Sequence, residues 1–167
     1  MPIPDDVPSE FDNSEGLDNP VETTPGDIFA EYLRVLGEAS AVGDGEPWPA
    51  YSEVLPDSED SPANLIVCSS TSPKSQGTIM ETGRTVQKMG VQVRLVADSN
   101  PTSYRKSATI RQAVSRAAPI IHVEIEDQVY EVHRASLASG PLRMPETATK
   151  RFGHTLNYTV ALLAIIR

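Results

Sequence analysis

The sequence predicts an α+β fold: one mostly antiparallel sheet of four to five strands, with two helices packed on one face and long loops between elements. Three observations carry this. Residues 88–98 alternate strictly, with Met89, Val91, Val93, Leu95 and Ala97 on one side and Gly90, Gln92, Arg94, Val96 and Asp98 on the other, the mark of a half-buried strand. The period then changes, and Ile110, Ala113, Val114 and Ala117 form a single apolar stripe at helical spacing,. Finally, Arg151 to Ile166 grows steadily more apolar, which suits a strand near the sheet centre. A strand feeding an amphipathic helix that folds back on it seeds a two-layer domain.

Taken in order, residues 1–23 hold Pro2, Pro4, Pro8 and Pro20, seven acidic side chains and few large apolar ones. Such a segment cannot bury enough surface to offset its ordering entropy, so it is expected to be a disordered tail ahead of a domain spanning 24–167. Thr24-Pro25-Gly26-Asp27 reads as a helix start, with Thr as cap, Pro at the first position and an acid three residues after the cap,. Ile28, Phe29, Tyr32, Leu33 and Leu36 form the buried stripe, and Gly37 or Gly43 ends the helix. Residues 43–64 carry four prolines and an acidic cluster. They read as a loop anchored by Trp48 and Tyr51, or as a short edge strand near Tyr51–Leu55. Leu65 to Ser69 is the first clear strand.

A long polar connection is expected from Thr71 to Thr85, punctuated by Gly77 and Gly83; connections of that length between neighbouring strands usually have a binding role. Asn100 followed by Pro101 is the expected start of the second helix. Pro119 to Arg134 reads as a β-hairpin turning at Asp127-Gln128. Residues 135–150 are expected to be loop, because Gly140-Pro141 and Pro145 oppose a regular strand.

The charge is uneven. Residues 1–60 hold sixteen acidic and one basic side chain, and residues 61–167 hold seven acidic and thirteen basic. The acidic third either solubilises the chain or contacts a basic surface, its own or a partner's. No apolar run approaches the roughly 20 residues of a membrane span, and the acidic, Pro-rich N-terminus lacks the apolar core of a signal peptide. Cys68 is the only cysteine, which excludes an internal disulfide; its apolar neighbours point to a small buried side chain.

The residues offer no enzyme chemistry. His122, His133 and His154 fall on strands without metal-ligand spacing. His122 and His133 could face each other across the hairpin, but two imidazoles alone make a poor zinc site. Neither a Gly-rich phosphate cradle nor a G-x-S-x-G nucleophile elbow is present,. Glu124 and Glu126 share a strand face at a hairpin edge, where solvated charge is the expected role. Arg105, Lys106, Arg111 and Arg116 make one helix basic, yet a strand follows where a helix-turn-helix needs a second helix, and aromatics for base stacking are few. Catalytic residues, cofactors and metals are therefore expected to be none.

Several segments fall together in a familiar order. They are N-L-I-V (Asn64–Val67), T-I-M-E-T-G-R (Thr78–Arg84), G-V-Q-V-R (Gly90–Arg94), S-Y-R-K-S-A-T-I (Ser103–Ile110), V-Y-E-V (Val129–Val132), G-P-L-R (Gly140–Arg143) and H-T-L-N-Y-T-V (His154–Val160). Over roughly residues 64–166 the chain resembles the tail terminator or minor capsid proteins of long-tailed bacteriophages; the acidic N-terminus lies outside that pattern. The resemblance implies a structural virion protein, a hexameric ring at the head-proximal end of the tail tube that ends tube polymerisation and offers the head-joining surface. Implied partners are further copies of the chain, the tail tube protein and head-side connector proteins, with DNA passing through the lumen unbound and no membrane. The implied location is the tail–neck junction of the virion, after assembly in the host cytoplasm. Thr78, Met80, Gly83, Arg84, Gln92, Arg94, Arg105, Lys106 and Arg143 are the expected interface residues, with Gln92, Arg94, Glu124 and Glu126 as candidates for the lumen. The alternatives are a head-side neck or head-completion protein and a small enzyme or nucleic-acid-binding module.

Overall fold

The computed structural model describes residues 23–56, 58, 60–78, 85–147 and 149–165. The expected acidic tail, apart from Thr23, lies outside them. The elements follow the order α1 (Pro25–Val35), β1 (Ala50–Ser52), β2 (Leu65–Thr78), β3 (Thr85–Ala97), α2 (Asn100–Arg116), β4 (Ile121–Ile125), β5 (Gln128–Met144) and β6 (Phe152–Ile165).

The α+β architecture is as expected, with six strands rather than four or five, in the order β1-β2-β3-β6-β5-β4. The extra strand is β1, which pairs with β2 in parallel; every other neighbouring pair is antiparallel. It forms at the Pro-rich stretch where an edge strand was one of two expectations, and only three residues pair, because the backbone turns away at Glu53, whose φ is 62°. The apolar β6 lies between β3 and β5, the central place expected of it.

Helix α1 starts with a capping box: the Asp27 amide donates to Thr24 Oγ1 at 3.2 Å, and the Thr24 amide donates to Asp27 Oδ2 at 2.8 Å,. It ends at Gly37, whose φ of 73° lets the Gly37 and Glu38 amides turn back to the carbonyls of Arg34 and Leu33, each at 2.9 Å,. Helix α2 is capped one residue earlier than expected. Ser99, in an extended conformation, accepts from the Thr102 amide, and Asn100 is already helical. Pro101 therefore occupies the second helical position, where its missing N–H costs nothing.

Both helices cover the same face. Registers Ile66↔Leu95, Cys68↔Val93 and Val93↔Leu156 align the inward side chains of β2, β3 and β6. They meet Phe29, Leu33, Ile110 and Val114 in one core. Phe29, Tyr32 and Tyr158 pack as a ring cluster, with centroids 5.3 and 5.2 Å from Phe29. Helix α1 touches β1 and β4, the opposite edges, so the sheet curls around it. A smaller cluster of Leu65, Val67 and Val96 lies on the other face under Tyr51 and Leu55.

Two expected loops are strands. Much of the Thr71–Thr85 connection is a continuation of the β2–β3 hairpin, paired from Ser75↔Lys88 to Thr78↔Thr85 after a register shift that absorbs Pro73,. The stretch 135–144 belongs to β5, which pairs with β6 down to Met144↔Gly153. Pro141 is tolerated there because the register slips between Ser139 and Leu142, leaving residues 140–141 outside the ladder,. Gly140 takes φ 114°, and a Cβ at this position would meet the Thr155 carbonyl oxygen at 2.5 Å,.

The β4–β5 turn is Glu126-Asp127, one residue earlier than expected, with Glu126 at φ 54°. Moving a turn by one residue moves each cross-strand partner by two. His122 therefore faces Glu131 rather than His133.

Candidate functional site

Of the nine expected interface residues, the six that are described do not converge on one place. Met80, Gly83 and Arg84 lie outside the described residues. Thr78 is the last residue of β2, paired with Thr85 at the far end of the hairpin. Gln92 and Arg94 lie on the helix-free face of β3. There Gln92 Nε2 donates to Asn157 Oδ1 at 3.2 Å, and Asn157 Nδ2 donates to Ser139 Oγ at 2.8 Å. This chain of amides and a hydroxyl runs across β3, β6 and β5, and Arg94 adds a positive charge two residues along. The result is a polar sheet face that no helix covers among the described residues.

Arg105 and Lys106 lie on α2, on the other side of the sheet. Arg105 is exposed. Lys106 is engaged: its ammonium is 2.8 Å from Glu38 Oε2 and 5.8 Å from the centre of the Trp48 ring. That pairing fixes the chain after α1 against α2, so Lys106 serves the fold. Arg143, near the end of β5, is exposed and faces His154 in register.

Several polar groups gain partners that the sequence reading did not assign. Glu131 lies between two imidazoles, with His133 Nε2 at 3.0 Å and His122 Nε2 at 3.4 Å. Among the described residues no three His, Cys, Asp or Glu groups are placed to hold a metal ion. Ser103 and His154 form a buried pair at the start of α2. Burial pushes the His154 pKa down, and Arg143 adds to the shift, so the imidazole is neutral at pH 7. Cys68 is fully buried and burial pushes its thiol pKa up, which leaves it unreactive.

Among the described residues, the β2 edge is unpaired along much of its length. β1 covers only Ile66 to Cys68. Glu53 then takes the place of a strand for one residue, its carboxylate accepting from the Ser70 amide at 3.0 and 3.1 Å. From Thr71 to Thr78 no strand pairs with that edge among the described residues. At the opposite end of the sheet, β4 is the other open edge. Unpaired edges are ready templates for another chain. Among the described residues, no helix is long and apolar enough to cross a membrane. Compared with family models and with curated proteins, the chain matches none.

Proposed function

We propose that this chain is a structural virion subunit, a tail terminator that assembles as a hexameric ring at the head-proximal end of a bacteriophage tail tube and presents the head-joining surface. One observation carries the reading furthest: β2 runs on from Thr71 to Thr78 with an open edge, while β4 leaves a second, different edge at the other side of the same sheet. A ring that closes by rotation needs two unlike patches on each subunit. The β2–β3 hairpin and the β4 edge supply such a pair, and the polar face carrying Gln92, Arg94 and Asn157 suits a wet surface such as a channel lining. The β5 stretch from Ala135 to Met144, with Leu137 and Leu142 exposed, is the contact offered to the tube or to the head side.

The test is electron microscopy of purified protein mixed with tail tubes, together with sedimentation. Six-fold rings capping one end of each tube support the reading. A monomer that ignores tubes and shifts DNA in a gel overturns it, and capture by the head-side connector in preference to the tube assigns the chain to the head side of the neck.

A further inference from the structure

A cavity of about 510 Å³ opens between the second half of α2, the Ala117–Pro119 exit from it, and residues 132–137 of β5. Val114, Val132 and Leu137 supply apolar wall. Arg111 and Arg134 stand exposed at its margin, and none of the described residues lining it is acidic. Tyr158 also lines it; the residue is 1% exposed, and its hydroxyl has no hydrogen-bond partner among the described residues. A buried hydroxyl without a partner carries a desolvation cost that an acceptor would relieve. Burial raises the Tyr158 pKa, against an opposing pull from the nearby Arg111, so the phenol stays a neutral donor. An apolar wall, a neutral donor and two guanidinium groups suit a short apolar side chain flanked by carboxylates.

Residues 1–22 supply that chemistry, with seven acidic side chains and no basic one. The described chain begins at Thr23, beside Glu124 and Glu126 at the far end of β4. From there to the cavity is the length of β4, five residues or about 17 Å,. Six residues of extended chain span about 20 Å, so Leu17, six positions before Thr23 and flanked in sequence by Glu15 and Asp18, is within reach of the opening.

We propose that the chain's own acidic segment, residues 11–18, docks in this cavity, with Leu17 against Val114, Val132 and Leu137 and the carboxylates of Glu15 and Asp18 facing the Tyr158 hydroxyl, Arg111 and Arg134. The proposal does not depend on the ring reading. It assigns the uneven charge of the chain an intramolecular role and covers the basic end of α2.

Disulfide trapping in the full chain tests it. Cys68 is buried, so Gly16→Cys with Ser136→Cys, beside the docking contact, leaves two reactive thiols and keeps Leu17 and Leu137 in place. In dilute protein with oxidised glutathione, an intramolecular bond should form. Glu15→Gln with Asp18→Asn, or Arg111→Gln, should each slow it about tenfold, the loss of roughly one charge-assisted contact, and 0.5 M salt should slow it too. Removing the two acids by itself favours the thiolate and speeds the exchange, so slowing reports lost docking. Rates unchanged by these substitutions, or a disulfide that forms only between chains, overturn the proposal.

Discussion

Ser103 and His154 meet inside the protein, with Oγ and Nδ1 2.8 Å apart and the residues 0% and 5% exposed. The contact joins the first turn of α2 to the central strand β6, and the Tyr104 ring packs edge-on against the imidazole at 5.5 Å. Because burial lowers the His154 pKa in the folded chain, the unfolded chain takes up the proton first as pH falls. Stability is therefore complete above the ordinary histidine value of about 6.5 and is lost as pH drops through it. In urea titrations from pH 8 to pH 5, the wild type should weaken more steeply than His154→Asn, which keeps a polar group near the Nδ1 position without a titrating ring. Parallel curves would remove His154 from the account.

Arg151 holds the loop between β1 and β2 to the start of β6. Its guanidinium, in a residue 7% exposed, donates to the carbonyls of Pro62 and Pro56 at 2.9 and 3.0 Å and to Thr149 Oγ1 at 2.9 Å. Arg151→Ala removes the donor from those part-buried carbonyls and should cost about 2–4 kcal/mol in denaturant unfolding. It should also speed proteolysis between residues 53 and 63. A loss below about 0.5 kcal/mol, the usual range for a surface change, would count against the clamp.

Gly140 stands where only glycine fits without strain. Its φ of 114° and the approach of the Thr155 carbonyl and Leu156 leave no room for a methyl group. Gly140→Ala should destabilise by about 1–3 kcal/mol, read as a lower midpoint in thermal or chemical unfolding. An unchanged midpoint would mean that the β5–β6 ladder relaxes freely at its slip.

Thr24 and Asp27 close the start of α1. Partial burial opposes ionisation of Asp27, but the neighbouring Ser52 hydroxyl and the Thr24 amide and hydroxyl outweigh it and hold the carboxyl below its ordinary value. That stabilisation is present at neutral pH and lost as pH falls through the lowered value. Thr24→Ala should cost about 1 kcal/mol at pH 7, and the cost should shrink in acid.

The assembly reading predicts that deleting residues 75–84 shortens the β2–β3 hairpin, leaves a folded monomer by circular dichroism and sedimentation, and abolishes tube capping. Tubes that still stop at the usual length would show that the hairpin is not the contact.

Local chemistry was legible from residue order alone. The cap and box at Thr24 and Asp27, the alternation of 88–98, the stripe through Ile110 and Val114, and the apolar centre strand each depend on neighbours within a few positions. Their periods match the geometry of helix and strand directly. What tertiary structure decided is pairing. The polar, glycine-punctuated stretch after Thr71 and the Gly140-Pro141 pair argued for loops, yet each passes through a register slip that only the partner strand reveals. One residue's difference in the β4–β5 turn placed Glu131 opposite His122. The cavity beside Tyr158 joins residues as far apart in sequence as Tyr32 and Tyr158, and the clamp by Arg151 reaches back to Pro56; no local pattern encodes a contact made through the curl of a sheet.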